Sequence, residues 1–158
     1  MRVVVQRVSQ SNVKVSGEVI GEINEGLMVL VSFVDEDNDT DLDWMTKKII
    51  NLRIFNDDEG KMNRSVQDVS GDILLISQFT LHGSTKKGNR PSFIKAAKPD
   101  FANVMYERFI KVLEQTLGKV IQTGEFGGDM KVSLITVSYT HLRAHETGRN
   151  LVCRLLLE

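Results

Sequence analysis

Residues 1–33 read MRVVVQRVSQSNVKVSGEVIGEINEGLMVLVSF. The opening MRVVVQRV is a β-branched run and predicts a largely buried strand with Arg7 near its end. In NVKVSGEVIGEI, Val13, Val15, Val19 and Ile23 are punctuated by Gly17 and Gly21, which predicts a hairpin with a tight turn at Ser16-Gly17-Glu18. Gly26 then introduces LMVLVSF, a continuous apolar run of strand length. Three or four strands in so short a stretch build most of one sheet, so the rest of the chain has to pack against it.

The next segment, VDEDNDTDLD, places aspartates before an apolar-periodic stretch, where exposed N–H groups at a helix start favour them. A helix is predicted over about 40–52, with Leu42, Met45, Ile49 and Leu52 on one face and Lys47 and Lys48 on another. Arg53-Ile54-Phe55 reads as a short strand closed by the turn NDDEGK, and DILLISQF, residues 72–79, as the next clear strand. Lys98-Pro99-Asp100 opens a second helix, about 100–117, whose stripe is Phe101, Val104, Met105, Phe109, Val112, Leu113 and Leu117 and whose stop is Gly118. KVIQTG and MKVSLITV, at 119–124 and 130–137, read as two more strands. No repeat or low-complexity linker divides the chain. The expectation is a single α+β domain, a curled mixed or antiparallel sheet with two helices packed on it.

Composition bounds the function. A chain of 158 residues fits one domain, and such a chain buries roughly 70% of the surface its unfolded form exposes. Net charge is −1, so an anionic partner has to be met by a local patch rather than by a polycationic surface. The single cysteine, Cys153, excludes an internal disulfide. No apolar run approaches the roughly 18 residues of a membrane span, and no charged-then-apolar leader opens the chain, so a cytoplasmic protein without a membrane partner is expected.

Chemistry concentrates in SQFTLHGSTKKGNRPSF, residues 77–93. Ser77, Gln78 and Thr80 crowd a strand end around Phe79, and Lys86, Lys87, Arg90, Lys95 and Lys98 follow, interrupted by Gly88, Pro91 and Phe93. The pattern suits a polyanion gripped by the cations while the strand end handles its terminus; a solvated loop is the plainer reading. A hydrolytic Ser77 or Thr80 would need a base, and His82 is only two residues from Thr80, whereas a base usually comes from a separate segment. Ile76-Ser77-Gln78 also lacks the glycines of a nucleophile elbow, and capping of backbone groups by these hydroxyls is the competing view. His82, His141, His145 and Cys153 make a weak metal set, with no HEXXH pattern and no second cysteine. Neither a metal nor a cofactor is expected.

Taken together, SQFTL at 77–81, GNRPSF at 88–93, QTGEFGGDMKVSL at 122–134, LRIFNDDEGKMNRSV at 52–66 and the opening MRVVVQRVSQSNVKV closely resemble the D-aminoacyl-tRNA deacylase family, collinearly from residue 1 to about 135. The resemblance implies a homodimer with active sites at the subunit interface, binding the 3′ end of aminoacyl-tRNA and hydrolysing the ester of a D-amino acid, or of glycine mischarged on tRNA-Ala. Carried over, Ser77, Gln78, Phe79 and Thr80 line the pocket with Met130, Arg7 orients a specificity loop across the interface, and Lys86, Lys87 and Arg90 meet the tRNA. One view of the family makes Thr80 the nucleophile. Another gives catalysis to the RNA's own 2′-hydroxyl, with backbone N–H groups at Phe79 and Thr80 polarising the ester carbonyl, and it fits better a chain with no visible base. A module that holds tRNA or nucleotide ends without turnover is the alternative function.

The resemblance ends abruptly. The family's second signature, Gly-Pro-Val-Thr with a cis Gly-Pro bond that blocks L-amino acids, falls by ungapped continuation on Ser138-Tyr139-Thr140-His141, and no Gly-Pro occurs anywhere in the chain. A cis Ser138-Tyr139 bond would cost about 2.5 to 4 kcal/mol, so that geometry is not expected. Residues 136–158 read as a non-family tail, of the kind a frameshift or a fused segment leaves.

Overall fold

The computed structural model describes residues 1–137, together with the backbone of residues 151–153. In chain order the elements are β1 (Arg2–Val15), β2 (Glu18–Ile23), β3 (Gly26–Ser32), α1 (Asp39–Ile50), β4 (Phe55–Asn56), β5 (Met62–Arg64), β6 (Asp72–Ser77), a 3₁₀ helix (Phe79–His82), α2 (Pro99–Leu117), β7 (Gln122–Thr123), β8 (Met130–Thr136) and β9 (Leu151–Cys153).

The two stretches read as separate strands at the start of the chain are one. β1 runs unbroken for 14 residues because it is paired along both edges. On one edge it meets β3 antiparallel from Arg2 with Ser32 to Val8 with Gly26, and β2 from Ser11 with Ile23 to Val15 with Glu18. On the other it meets β8 antiparallel and β9 parallel. The pairing with β8 slips between Val8 and Gln10, a bulge that accommodates the exposed Ser9 and Gln10 without ending the strand. The predicted hairpin turn is real: Ser16 and Gly17 both have positive φ, 52° and 91°, as a two-residue turn matching strand twist requires.

β3, β6 and β7 run parallel, which gives the mixed sheet its order β2-β1-β3-β6-β7 with β8 and β9 on the outer edge of β1. The continuous apolar reading of DILLIS now has a cause. Ile73 and Leu75 enter a core with Leu42, Met45 and Ile49 of α1 and Met105, Phe109 and Leu113 of α2, while Leu74 and Ile76 enter a second cluster with Val8, Val13, Ile23 and Met28 inside the curl. A strand buried on both faces shows no alternation. The curl is tight where β2 approaches β7: a Cβ on Gly21 would sit 2.6 Å from the Thr123 carbonyl oxygen, so only glycine fits there.

α1 starts one residue before the predicted bound and ends two earlier, capped by Asn38, whose Oδ1 accepts from the Thr40 amide at 2.9 Å while Asp41 accepts from the Asn38 amide at 3.1 Å. α2 keeps its predicted bounds within one residue, with Pro99 in its first turn and Gly118 at φ 71° as its left-handed stop. Its buried face differs in detail. Val104 is exposed, and Tyr106 takes a place in the core because its hydroxyl can donate to the Leu75 carbonyl at 2.7 Å. Burial pushes that phenol well above its ordinary pKa. The short strand near Phe55 exists as β4, and its return partner β5, three residues with no strand signal in the sequence, closes the hairpin across Asp57. The strand expected over 119–124 shrinks to Gln122 and Thr123.

Candidate active site at the end of β6

β6 stops at Ser77, two residues short of the predicted end. Its partner β3 is the reason: the register ends with Val31 opposite Ser77, and one further bond, from the Gln78 amide to the Val31 carbonyl at 2.7 Å, exhausts the ladder. Gln78 then turns the chain (φ −148°, ψ 83°) into the 3₁₀ helix, closed by Leu81 N–H to the Gln78 carbonyl at 3.2 Å and Gly83 N–H to the Thr80 carbonyl at 2.9 Å. Phe79 and Thr80 form its first turn. No acceptor for either amide is found among the described residues, as expected at a helix start.

This turn borders a cavity of about 710 Å³. Ser77, Gln78 and Phe79 form one wall; Val31 of β3 and Phe33 just beyond it the back; Phe93, Ala97 and Lys98 with Pro99 and Ala102 of α2 a second wall; and Phe126 through Met130 the floor. The structure therefore brings together four of the sequence-derived candidates, Ser77, Gln78, Phe79 and Met130. Thr80, expected to line the pocket, is exposed and is not among the lining residues, and its hydroxyl is joined to the Gln78 side-chain amide at 2.5 Å. A donor amide takes the place where a nucleophile would need a base.

His82 does not supply that base. It is buried, with a backbone hydrogen bond at Ser32, and burial first and the Arg2 charge second hold its pKa below the ordinary histidine value. Arg2 itself donates to the Leu81 carbonyl at 2.7 Å. The histidine therefore belongs to the support beneath the turn.

Arg7 lies elsewhere. Its buried guanidinium donates to the Ile54 carbonyl at 3.0 Å and to Asn56 Oδ1 at 3.2 Å, stacks 5.0 Å from the Phe55 ring centre, and comes within 4.0 Å of Glu25, while its own carbonyl accepts from the Val137 amide at 3.2 Å. It is not part of the cavity wall. Lys86, Lys87 and Arg90 are exposed on a loop pinched shut by reciprocal bonds of 2.9 Å between Ser84 and Ser92. Ser138 and Tyr139, like His141 and His145, lie outside the described residues. Among the described residues no cluster of three or more His, Cys, Asp or Glu could hold a metal ion, and no helix is long and apolar enough to cross a membrane.

Phe33, Ala97, Ala102 and Phe126 carry no signal in the sequence as site residues. They come from separate segments that no local pattern joins, whereas Phe93 and Lys98 stand among the basic residues.

A family profile described as D-Tyr-tRNA(Tyr) deacylase matches residues 4–140. The chain belongs to this deacylase family. Among its curated relatives are proteins named D-aminoacyl-tRNA deacylase from Flavobacterium johnsoniae, 62% identical over 85% of this chain and 90% of that one, and from Bacteroides thetaiotaomicron, 56% identical with the same coverage. Among solved structures, one titled c-Myc DNA Unwinding Element Binding Protein superposes with a TM-score of 0.79 at 40% identity, covering 84% of this chain and 89% of that one. A second, titled as a probable eukaryotic D-amino acid tRNA deacylase, has a TM-score of 0.73 at 20% identity, over 85% of this chain and 92% of that one, and shows the shared fold. As a deacylase-family member the chain is a hydrolase, and the α+β fold with two helices on a nearly closed mixed sheet is the fold of its relatives.

Proposed function

We propose that this chain hydrolyses the ester joining a D-amino acid, or glycine mischarged on tRNA-Ala, to the terminal ribose of tRNA, a proofreading step of translation in the cytoplasm. The observation that carries this reading is the pair of amides, Phe79 and Thr80, with no acceptor among the described residues, on the turn beside a cavity lined by Ser77, Gln78, Phe79 and Met130. Two N–H donors held on one turn suit the oxygen that becomes negative as a tetrahedral intermediate forms. Water bonds to the carbonyl carbon and passes a proton to the neighbouring ribose hydroxyl, which gives its own proton to the ribose oxygen as the ester bond breaks, so the step balances without a protein base. The hydroxyl of Thr80, tied to Gln78, positions rather than attacks.

Lys86, Lys87 and Arg90 meet the phosphates of the acceptor end in this reading; their loop adjoins the turn through Phe93. The second site of a homodimer would be served by the segment after β8, whose start is tied to the Arg7 carbonyl through Val137, which supports a role for Arg7 in aiming that segment rather than in touching substrate. At the family's Gly-Pro position stand Ser138 and Tyr139, and although the family profile runs to residue 140, the stretch expected as a tail, 136–158, carries no Gly-Pro, so exclusion of L-amino acids is weakened.

The test is release of tyrosine from D-tyrosyl-tRNA and L-tyrosyl-tRNA by the purified chain. Cleavage of the D-ester, with less discrimination against the L-ester than the Flavobacterium relative shows, is expected. Salt-sensitive tRNA binding without release of D-tyrosine would overturn turnover in favour of a module that only holds tRNA ends.

A further inference from the structure

We propose that Phe93 is a positioning residue that couples the basic loop to the amides of the 3₁₀ turn, so that a polyanion seated on the loop sets the geometry of Phe79. This rests on the reading of those amides given under the proposed function. The loop carrying Lys86, Lys87 and Arg90 is closed by two backbone bonds between Ser84 and Ser92, and Phe93 is the residue that follows the closure. Its ring stands edge-on to Phe79, centres 5.2 Å apart at 76°, a preferred aromatic arrangement. The same ring lies where a Cβ on Gly83 would be 3.1 Å from Cε1, and that Cβ would also be 3.0 Å from the Thr80 carbonyl oxygen. Gly83 is therefore a close-approach glycine: it lets Phe93 lie directly on the turn.

On its other side Phe93 is held by the chain leading to α2. Its carbonyl accepts from the Ala96 amide at 2.9 Å, and the Ala97 amide donates to the Phe33 carbonyl at 2.9 Å at the back of the cavity. Phe93 thus joins three parts: its backbone follows the loop closure, its ring packs on the turn, and the residue lines the cavity. The Phe79 ring, 58% exposed, has this one aromatic neighbour to fix it among the described residues. A shift of Phe93 when phosphates bind the loop passes to Phe79 and the amides beside it.

Two measurements test this. In steady-state deacylation of D-tyrosyl-tRNA, Phe93→Leu lowers kcat roughly tenfold with KM little changed, Phe93→Tyr retains kcat, and Gly83→Ala falls like Phe93→Leu; misplacement of reacting groups by about 1 Å costs up to about a hundredfold. A merely structural role would lower the folded fraction and leave kcat per folded enzyme intact, so Phe93→Leu with unchanged kcat overturns the proposal. The second measurement needs no turnover. An acceptor-stem RNA hairpin lacking the single-stranded 3′ end can reach the loop but not enter the cavity. On adding it, the amide NMR signals of Phe79 and Thr80 shift in the wild-type chain and stay still in Phe93→Leu. Still signals in the wild type, or equal shifts in both, overturn the coupling. Failure of the proposed function itself would show differently, as a wild-type chain that releases no D-tyrosine.

Discussion

At the scale of single residues, the question is whether a side chain or the backbone does the chemistry at Thr80. Its hydroxyl has an amide donor for a neighbour and His82 is buried beneath the turn, so nothing in the described residues deprotonates it. Thr80→Ala is expected to keep kcat for D-tyrosyl-tRNA within a few-fold; loss on the scale of a removed nucleophile would return the hydroxyl to the mechanism. The complementary change removes an amide. Gln78 (φ −148°, ψ 83°) stands outside the helical region that a following proline disfavours, and Phe79 opens the 3₁₀ helix, the position where a helix tolerates a proline ring. Phe79→Pro is therefore expected to fold, and to turn over about 10²- to 10³-fold more slowly than Phe79→Leu, which loses the ring but keeps the N–H.

At the scale of elements, each strand end and closure is set by its neighbour. β6 loses its pairing where β3 does, and the first strand stays continuous across Ser9 and Gln10 because pairing resumes beyond them, with β2 on one edge and β8 on the other. The curl depends on β2 lying against β7 with no side chain between Gly21 and the Thr123 carbonyl. That neighbour is backbone and cannot swing aside. Gly21→Ala is expected to lower unfolding free energy by roughly 1 to 3 kcal/mol, read as a shift in the urea midpoint at unchanged slope. An unshifted midpoint would mean that the sheet opens there at no cost.

At the scale of the whole molecule, β8 leaves apolar side chains uncovered. Val132 and Leu134 are more than a third exposed, and Ile135 is 59% exposed, all on this strand. Such a strip on an outer strand is what a second copy of the chain would cover in the proposed homodimer. Leu134→Asp is expected to convert a dimer to a monomer in sedimentation velocity and to abolish deacylation together with it. A wild-type chain that sediments as a monomer yet cleaves D-tyrosyl-tRNA would remove the interface from the site.

Much of this was open to reading in the linear chain, because local rules governed it. The turn at Ser16-Gly17, the stop at Gly118 and Pro99 in the first turn of α2 follow from backbone conformations that few residues adopt. The apolar runs of β3 and β6 follow from burial, and SQFTL with its collinear companions marked the family and the neighbourhood of the site. Three-dimensional packing decided the rest. It turned Phe79 out of a strand and into a 3₁₀ turn, because hydrogen-bonding capacity on β3 ran out one residue past Ser77. It placed Phe33, Phe93, Phe126 and Met130 around one cavity, sent Arg7 to the β4 hairpin, and buried His82. Those outcomes depend on which distant segments meet, and contact between segments far apart in the chain leaves no periodic trace in either one.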